Sequence, residues 1–440
     1  MSYVDAVFEQ SKGIVRVVER TKSGERKIID HPMRYYFYID DPKGKEHSIH
    51  GNPVSKVVAN NWKDFNRNVA LYQNRQTYES DIKPVNRVLA EQYLGEEAPK
   101  LHKCFFDIEV DFDPEEGYSS PEDAFTPITS ISVYLDWMDQ VICIAVPPKT
   151  LNWTQAQEIA KKVGNTILFK NEAGMLDAFL SLIQDADVLS GWNSEGYDIP
   201  YTVNRIIKVL GKAETRRLCL LDKNVVKREY IMYGKDTQTY DLVGRVHLDY
   251  LQLYRKYNYE ERHSYRLDYI GEMEVGEKKV AYEGSLDKLY NHDFEMFLEY
   301  NIQDTMLLKK IDDKLQFIDL ASEIAHQNTV LLPVTMGAVQ TIDSAIINEA
   351  HRRKMIIPDR KRGKDSDNPW GHTVAGAYVA FPKKGIHQWI GSMDINSLYP
   401  SVIRALNMAP ETVVGQLRQE YTNSEIKSSI QLDKKSFADA

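Results

Sequence analysis

The stretch KCFFDIEVDF, residues 103–112, places two acidic side chains, Asp107 and Glu109, inside a run that otherwise reads as a buried strand. In an extended chain successive side chains alternate between faces. Phe106, Ile108, Val110 and Phe112 therefore share one face, and Asp107, Glu109 and Asp111 share the other. Like charges held this close repel, and a half-buried carboxylate loses hydration, so the arrangement costs free energy unless a cation or hydrogen-bond donors compensate. A divalent metal is the usual compensator. The alternative is an edge strand with a wet outer face, and the choice turns on whether further carboxylates converge on the same place.

The surrounding pattern predicts strands over 103–111, 128–135 (ITSISVYL), 141–146 (VICIAV) and 166–169 (TILF), then an amphipathic helix in EAGMLDAFLSLIQDA and a fifth strand over 187–192 (DVLSGW). Three strands joined by loops, a fourth, a helix and a fifth imply an α/β (α+β) fold with a mixed sheet and a crossover. The fifth strand runs into NSEGYDIP, where Asn193, Ser194 and Gly196 form a loop and Pro200 suits the first turn of a helix. Asp198 there is either a helix cap or a functional group at a strand's carboxyl end. Residues 293–326 read as one long helix or two in series, with Tyr300 and Asp304 four apart on one face. Before residue 100, YYFYIDD reads as a strand and NNWKDFNRNVALYQNR as a helix.

Bulk properties narrow the classes. The 440 residues fit about two to four domains of ordinary size. A content of 42% hydrophobic and 27% charged residues is that of a soluble protein. The longest apolar run, VLLPVTMGAV at 330–339, is too short to span a bilayer, and MSYVDAVFEQ is polar from its start, so neither a membrane nor a signal peptide is expected. Cys104, Cys143 and Cys219 are too scattered for a zinc site or a disulfide framework, and a reducing cytoplasm is the expected compartment. The net charge of −9 argues against a protein that grips nucleic acid by bulk electrostatics, yet leaves room for a local groove. HRRKMIIPDRKRGK (351–364) carries seven Lys or Arg against one Asp and is either a solvated face or a phosphate contact.

Taken together, FFDIEV, NSEGYD and YNIQD, in that order, closely resemble the three exonuclease motifs of the proofreading domain of family B DNA polymerases. The resemblance implies an RNase H-like 3′→5′ exonuclease domain and makes Asp107, Glu109, Asp198 and Asp304 metal ligands. Hydrolysis of a phosphodiester needs an activated water and a stabilised leaving oxygen, which two divalent ions about 4 Å apart supply together. Magnesium (or manganese) suits four hard carboxylates. By the same resemblance Asp107 bridges both ions, Glu109 and Asp304 hold the one that activates water, Asp198 supports the second, and Tyr300 orients the water. Asn193 would contact the DNA.

A second resemblance lies in DINSLYPS (394–401), which is similar to the first palm motif of the family. It implies that Asp394 ligates nucleotide-bound metals, that Tyr399 gates against a ribose 2′-OH, and that the backbone at Ser397 and Leu398 meets the triphosphate; the same residues also read as a turn into a helix with Pro400 in its first turn. VAGAYV (374–379) resembles the family's template-binding segment, with Gly376 toward DNA, but Val374 stands where an aromatic is usual. REYIMYGKDTQTYDLV (228–243) resembles the β-hairpin that helps part primer from template in enzymes of the T-even-type phage branch.

The resulting expectation is a mixed N-terminal domain over 1–100, completed by about 317–360, an exonuclease domain over 101–316, and the incomplete start of a polymerase palm over 361–440. No D-T-D-like motif with the second palm aspartate follows Asp394 in these residues, which implies half a polymerase site in need of a second chain or further polypeptide. Expected partners are a DNA primer-template, a single-stranded 3′ end and, with the palm completed, a deoxynucleoside triphosphate. The competing readings are a free-standing exonuclease, which leaves DINSLYPS without a purpose, and a non-catalytic subunit that binds RNA or DNA, which leaves the acidic set and Tyr300 unexplained.

Overall fold

A computed structural model describes residues 2–72, 74–232, 235–278, 285–360, 379–409 and 412. The chain divides into two units, Met1–Asp359 and Arg360–Ala440.

The first unit begins with two small sheets. Strands β1 (Ser2–Glu9), β2 (Ile14–Arg20) and β3 (Arg26–Pro32) form an antiparallel meander. The second sheet holds β4 (Tyr35–Asp40), β5 (Glu46–Ser48), β6 (Pro53–Ala59) and, after helix α1 (Trp62–Leu71), β7 (Thr77–Tyr78). Asn61 caps α1 by accepting from the Asp64 amide, and the helix lays Phe65 against Tyr35 and Phe37. Helix α2 (Pro84–Tyr93) starts on a proline, whose missing N–H is harmless in a first turn, and closes a core with Tyr3, Val15 and Val17.

The central sheet follows. It contains β8 (Lys103–Val110), β9 (Ile128–Leu135), β10 (Gln140–Ala145), then helix α3 (Trp153–Val163), β11 (Thr166–Leu168), helix α4 (Glu172–Leu182), β12 (Val188–Ser190) and helix α5 (Asp198–Val209). A hairpin of β13 (Val226–Met232) and β14 (Lys235–Asp241) precedes the last strand, β15 (Val246–His247). The order is β11-β10-β9-β8-β12-β15. Only β9 runs against the others, since β8–β9 and β9–β10 are antiparallel while β10–β11, β8–β12 and β12–β15 are parallel. That mixed order is RNase H-like. Helices cover both faces, so β9 is buried along all eight residues, and its only polar members are the small hydroxyl residues Thr129, Ser130 and Ser132. One apolar layer gathers Phe106, Ile108, Ile131 and Val133, and the opposite one Phe105, Tyr134 and Val188.

Helix α3, between the third and fourth strands of this domain, is not among the elements expected from the sequence. Its sequence is largely polar because only Ala156 and Ala160 are buried, so the apolar periodicity is faint; what starts the helix is a capping box between Asn152 and Gln155.

Helices α6 (Tyr250–Tyr257), α7 (Leu267–Val275) and α8 (Leu286–His292) lead to α9 (Phe294–Leu315) and α10 (Phe317–Gln327). The predicted long segment is thus two helices, broken at Gln316, which takes a left-handed conformation with φ 52°. Helix α11 (Ala338–Arg352) carries the start of the basic run, and β16 (Met355–Ile356) then pairs in parallel with β5, returning the chain to the N-terminal sheet. In the second unit, Ser397 is left-handed at φ 50° and turns the chain into α12 (Leu398–Ala405), with Pro400 in its first turn. Among the described residues no helix is long and apolar enough to cross a membrane.

Candidate metal centre

Strand β8 lies inside the sheet, and its polar face is covered by α9. This brings Asp107 and Glu109 to Asp304, so that one carboxylate oxygen from each of the three lies within 4.8 Å of the other two. Asp304 is buried and Glu109 nearly so. A register shift between Glu109 and Val110 marks a bulge, a device that re-aims a side chain at the end of a ladder. Below it, Thr129 donates its hydroxyl to the Glu109 carbonyl at 3.0 Å. Three hard oxygen donors packed this closely, with their charges partly desolvated, fit a divalent cation that prefers carboxylates.

The adjacent α9 residue Asn301 is fully buried and was not among the residues singled out from the sequence. Its amide donates to Asp107 Oδ2 at 3.0 Å and accepts from the Ser130 hydroxyl at 3.1 Å. One Asp107 oxygen is thereby fixed, and the two acceptor–donor partners dictate which way the amide points. The signal was present in YNIQD, where Asn301 and Asp304 stand three apart on one face.

Asp198 lies outside the 4.8 Å group but beside it. It is the first residue of α5, is 5% exposed, and its Oδ1 accepts from the Ile108 amide, between Asp107 and Glu109, at 3.3 Å. Tyr197, not Asp198, occupies the cap position of that helix, and the Asp198 side chain reaches across to β8. Burial, and then the charge of Asp107, raises the Asp198 carboxyl well above the usual carboxylate range. The loop leading to it starts at Gly191. A Cβ there would stand 2.8 Å from the Phe106 carbonyl, so only glycine lets this loop lie against β8 next to Asp107.

Tyr300 shares the α9 face of Asp304 and is partly buried against the cluster of Phe294, Phe297 and Leu298. Asn193 opens the loop in a left-handed conformation, φ 63°. Asp394, Ser397, Leu398 and Tyr399 belong to the second unit, where they surround the start of α12. Gly376 lies outside the described residues, as do residues 233 and 234 of the hairpin turn.

Comparison with known proteins agrees with this arrangement. Residues 55–270 match the exonuclease domain of DNA polymerase family B, and residues 328–438 match DNA polymerase family B. The DNA-directed DNA polymerase of Escherichia phage RB69 is 29% identical over 442 aligned positions, which cover 94% of this chain and 47% of that protein. That of Enterobacteria phage T4 is 31% identical over 252, covering 57% and 27%. The DNA polymerase delta catalytic subunit of Plasmodium falciparum is 25% identical over 433, covering 93% and 37%. The chain thus spans about half, or less, of the length of these three relatives. With two matched segments in the order expected, and Asp107 and Glu109 of the acidic cluster inside the first, the chain belongs to DNA polymerase family B.

Proposed function

We propose that residues 101–316 are a 3′→5′ exonuclease that removes terminal nucleotides from DNA, the proofreading part of a replicative DNA polymerase. The observation that carries the reading is the carboxylate cluster of Asp107, Glu109 and Asp304, with Asp198 against the same strand; Asp107, Glu109 and Asp198 lie in the segment that matches family B exonuclease domains, and the fold brings Asp304 to them from beyond it. Asp107, Glu109, Asp198 and Asp304 would hold two magnesium or manganese ions. When bound, such ions supply a nucleophilic water at neutral pH and stabilise the leaving 3′ oxygen.

The chain's own residues do the rest. Asn301 keeps one Asp107 oxygen fixed, so the first ligand is positioned before any metal arrives. Tyr300, one helical turn from Asp304, offers a hydroxyl to orient the attacking water. Asn193, in the left-handed turn of the loop that leads to Asp198, would contact the DNA 3′ end. Residues 1–100 with about 317–360 form the N-terminal domain, in keeping with the pairing of β16 on β5. Residues 361–440 open the palm, where Asp394, Ser397, Leu398 and Tyr399 would meet a deoxynucleoside triphosphate and Gly376 the template. Primer extension is expected only when the remainder of the palm is present, as further polypeptide or a second chain. The compartment is the cytoplasm, of an infected bacterium if the source is a phage.

The test is release of nucleoside monophosphates from single-stranded DNA labelled at its 3′ end, with magnesium or manganese. Replacing Asp107 and Glu109 together by Ala removes stabilisation worth several kcal/mol and is expected to slow hydrolysis about a thousandfold or more. Hydrolysis unchanged in the double variant would sink the assignment.

A further inference from the structure

Asp249 lies behind the metal centre, just before α6, and is 5% exposed. Its carboxylate takes three backbone amides. Oδ1 accepts from Leu251 at 2.9 Å, which is an ordinary helix cap, and also from Asn193 at 3.1 Å; Oδ2 accepts from Glu195 at 3.1 Å. A cap needs only the first of these bonds. The other two tie α6 to the loop that delivers Asp198.

We propose that Asp249 is a positioning residue for the exonuclease centre, holding residues 193–197 in the one conformation that presents Asp198 to β8; this rests on the exonuclease reading above. Asn193 sits at φ 63°, a left-handed conformation that asparagine reaches more readily than most residues but that competes with ordinary backbone unless something holds it. The anchor on its amide does so. From there the bonds pass along the loop: the Asn193 carbonyl accepts from Gly196 and Tyr197 at 3.1 and 3.2 Å, and the Ser194 carbonyl accepts from Ile199 at 2.9 Å. Those last two amides flank Asp198 in the chain. A second tether acts on the same residue from outside, since Thr239 of β14 donates to the Glu195 carbonyl at 2.9 Å and Arg228 of β13 pairs with the Glu195 carboxylate. The hairpin is a separate two-stranded sheet, whereas Asp249 adjoins the packed core at Tyr250 and Leu253. Asp249 is therefore the fixed side of the clamp, and its effect reaches the metals through Asp198 alone.

Two variants separate this role from a helix cap. Asp249→Ser keeps a good capping residue but is too short to serve the loop. Asp249→Asn keeps the shape and one acceptor, while its NH2 faces an N–H it cannot accept from. The measurements are kcat and KM for nucleotide release from 3′-labelled single-stranded DNA, manganese affinity by calorimetry, and thermal unfolding. Expected are losses in kcat and manganese affinity of about 10- to 100-fold, the range for residues that orient metal ligands, larger than any rise in KM that comes through Asn193, with Asp249→Asn falling between wild type and Asp249→Ser. Folded variants with wild-type kcat and manganese affinity overturn the proposal. So does failure of both variants to fold, which would make Asp249 simply structural. A wild-type chain that releases no nucleotide would instead refute the exonuclease reading itself.

Discussion

At the scale of single residues, the most consequential neighbour of the metal centre is uncharged. Asn301 answers Asp107 on one side and Ser130 on the other, so replacing it by Leu, of similar size, leaves a carboxylate oxygen and a hydroxyl without that partner in a buried site. The expected cost is about 1–3 kcal/mol of stability, and divalent-metal affinity should fall about 10- to 100-fold, read by denaturation and by manganese titration. Metal affinity equal to that of the wild type would show that Asp107 needs no such support. Asp107 and Glu109 stood out in the sequence because carboxylates in a strand that reads as buried are costly, whereas Asp198 and Asp304 were singled out through the resemblance of their motifs. Asn301 and Asp249 were not. Nothing in the local pattern around either marks it as buried, and their importance comes from partners far away along the chain.

Among the elements, those with a strong pattern stood out. The strands β8 to β12 lie within a residue or two of where alternation put them, and helix α4 starts where periodicity put it but ends four residues sooner, at Leu182. Helix α3 did not, because a helix that buries two alanines needs no apolar stripe. The junction of β12 and the Asn193 loop depends on a different kind of information, a close approach. Gly191→Ala brings a methyl against the Phe106 carbonyl and the Ser194 side chain, with 2.8 and 2.9 Å available before anything shifts. Overpacking of this kind costs about 1–3 kcal/mol. The midpoint of urea unfolding should drop with the slope unchanged, and nucleotide release should slow as Asp198 is displaced. An alanine variant as stable and as fast as wild type would mean that the loop has room to give.

Over the whole first unit, buried acids join parts of the chain distant in sequence. Asp5, on the first strand, accepts from the Gly244 amide at 2.7 Å, and burial pushes its carboxyl up to about 7. The folded chain therefore keeps this proton longer than the unfolded chain does. Between about pH 4, where an unfolded Asp titrates, and pH 7, the unfolded state gives up the proton first, so Asp5 contributes less to stability as pH rises. Asp5→Asn still offers an oxygen to Gly244 and has no proton to lose. The unfolding free energy of wild type relative to this variant should thus decline from about pH 4.5 to about pH 8, by at most about 4 kcal/mol. A difference that stays flat over that window would place the titration elsewhere.

The parallel pairing of β16 with β5 also sets a timetable for the newborn chain. When Ser48 leaves the ribosome its partner has not been made, and the entire central sheet is translated before Ile356 arrives. At about 5–20 residues per second the wait is on the order of 15–60 s. Throughout it, one border of the N-terminal sheet offers unpaired backbone groups, which is the condition under which nascent chains join the wrong neighbour. The first domain to be synthesised is in this sense the last to be finished.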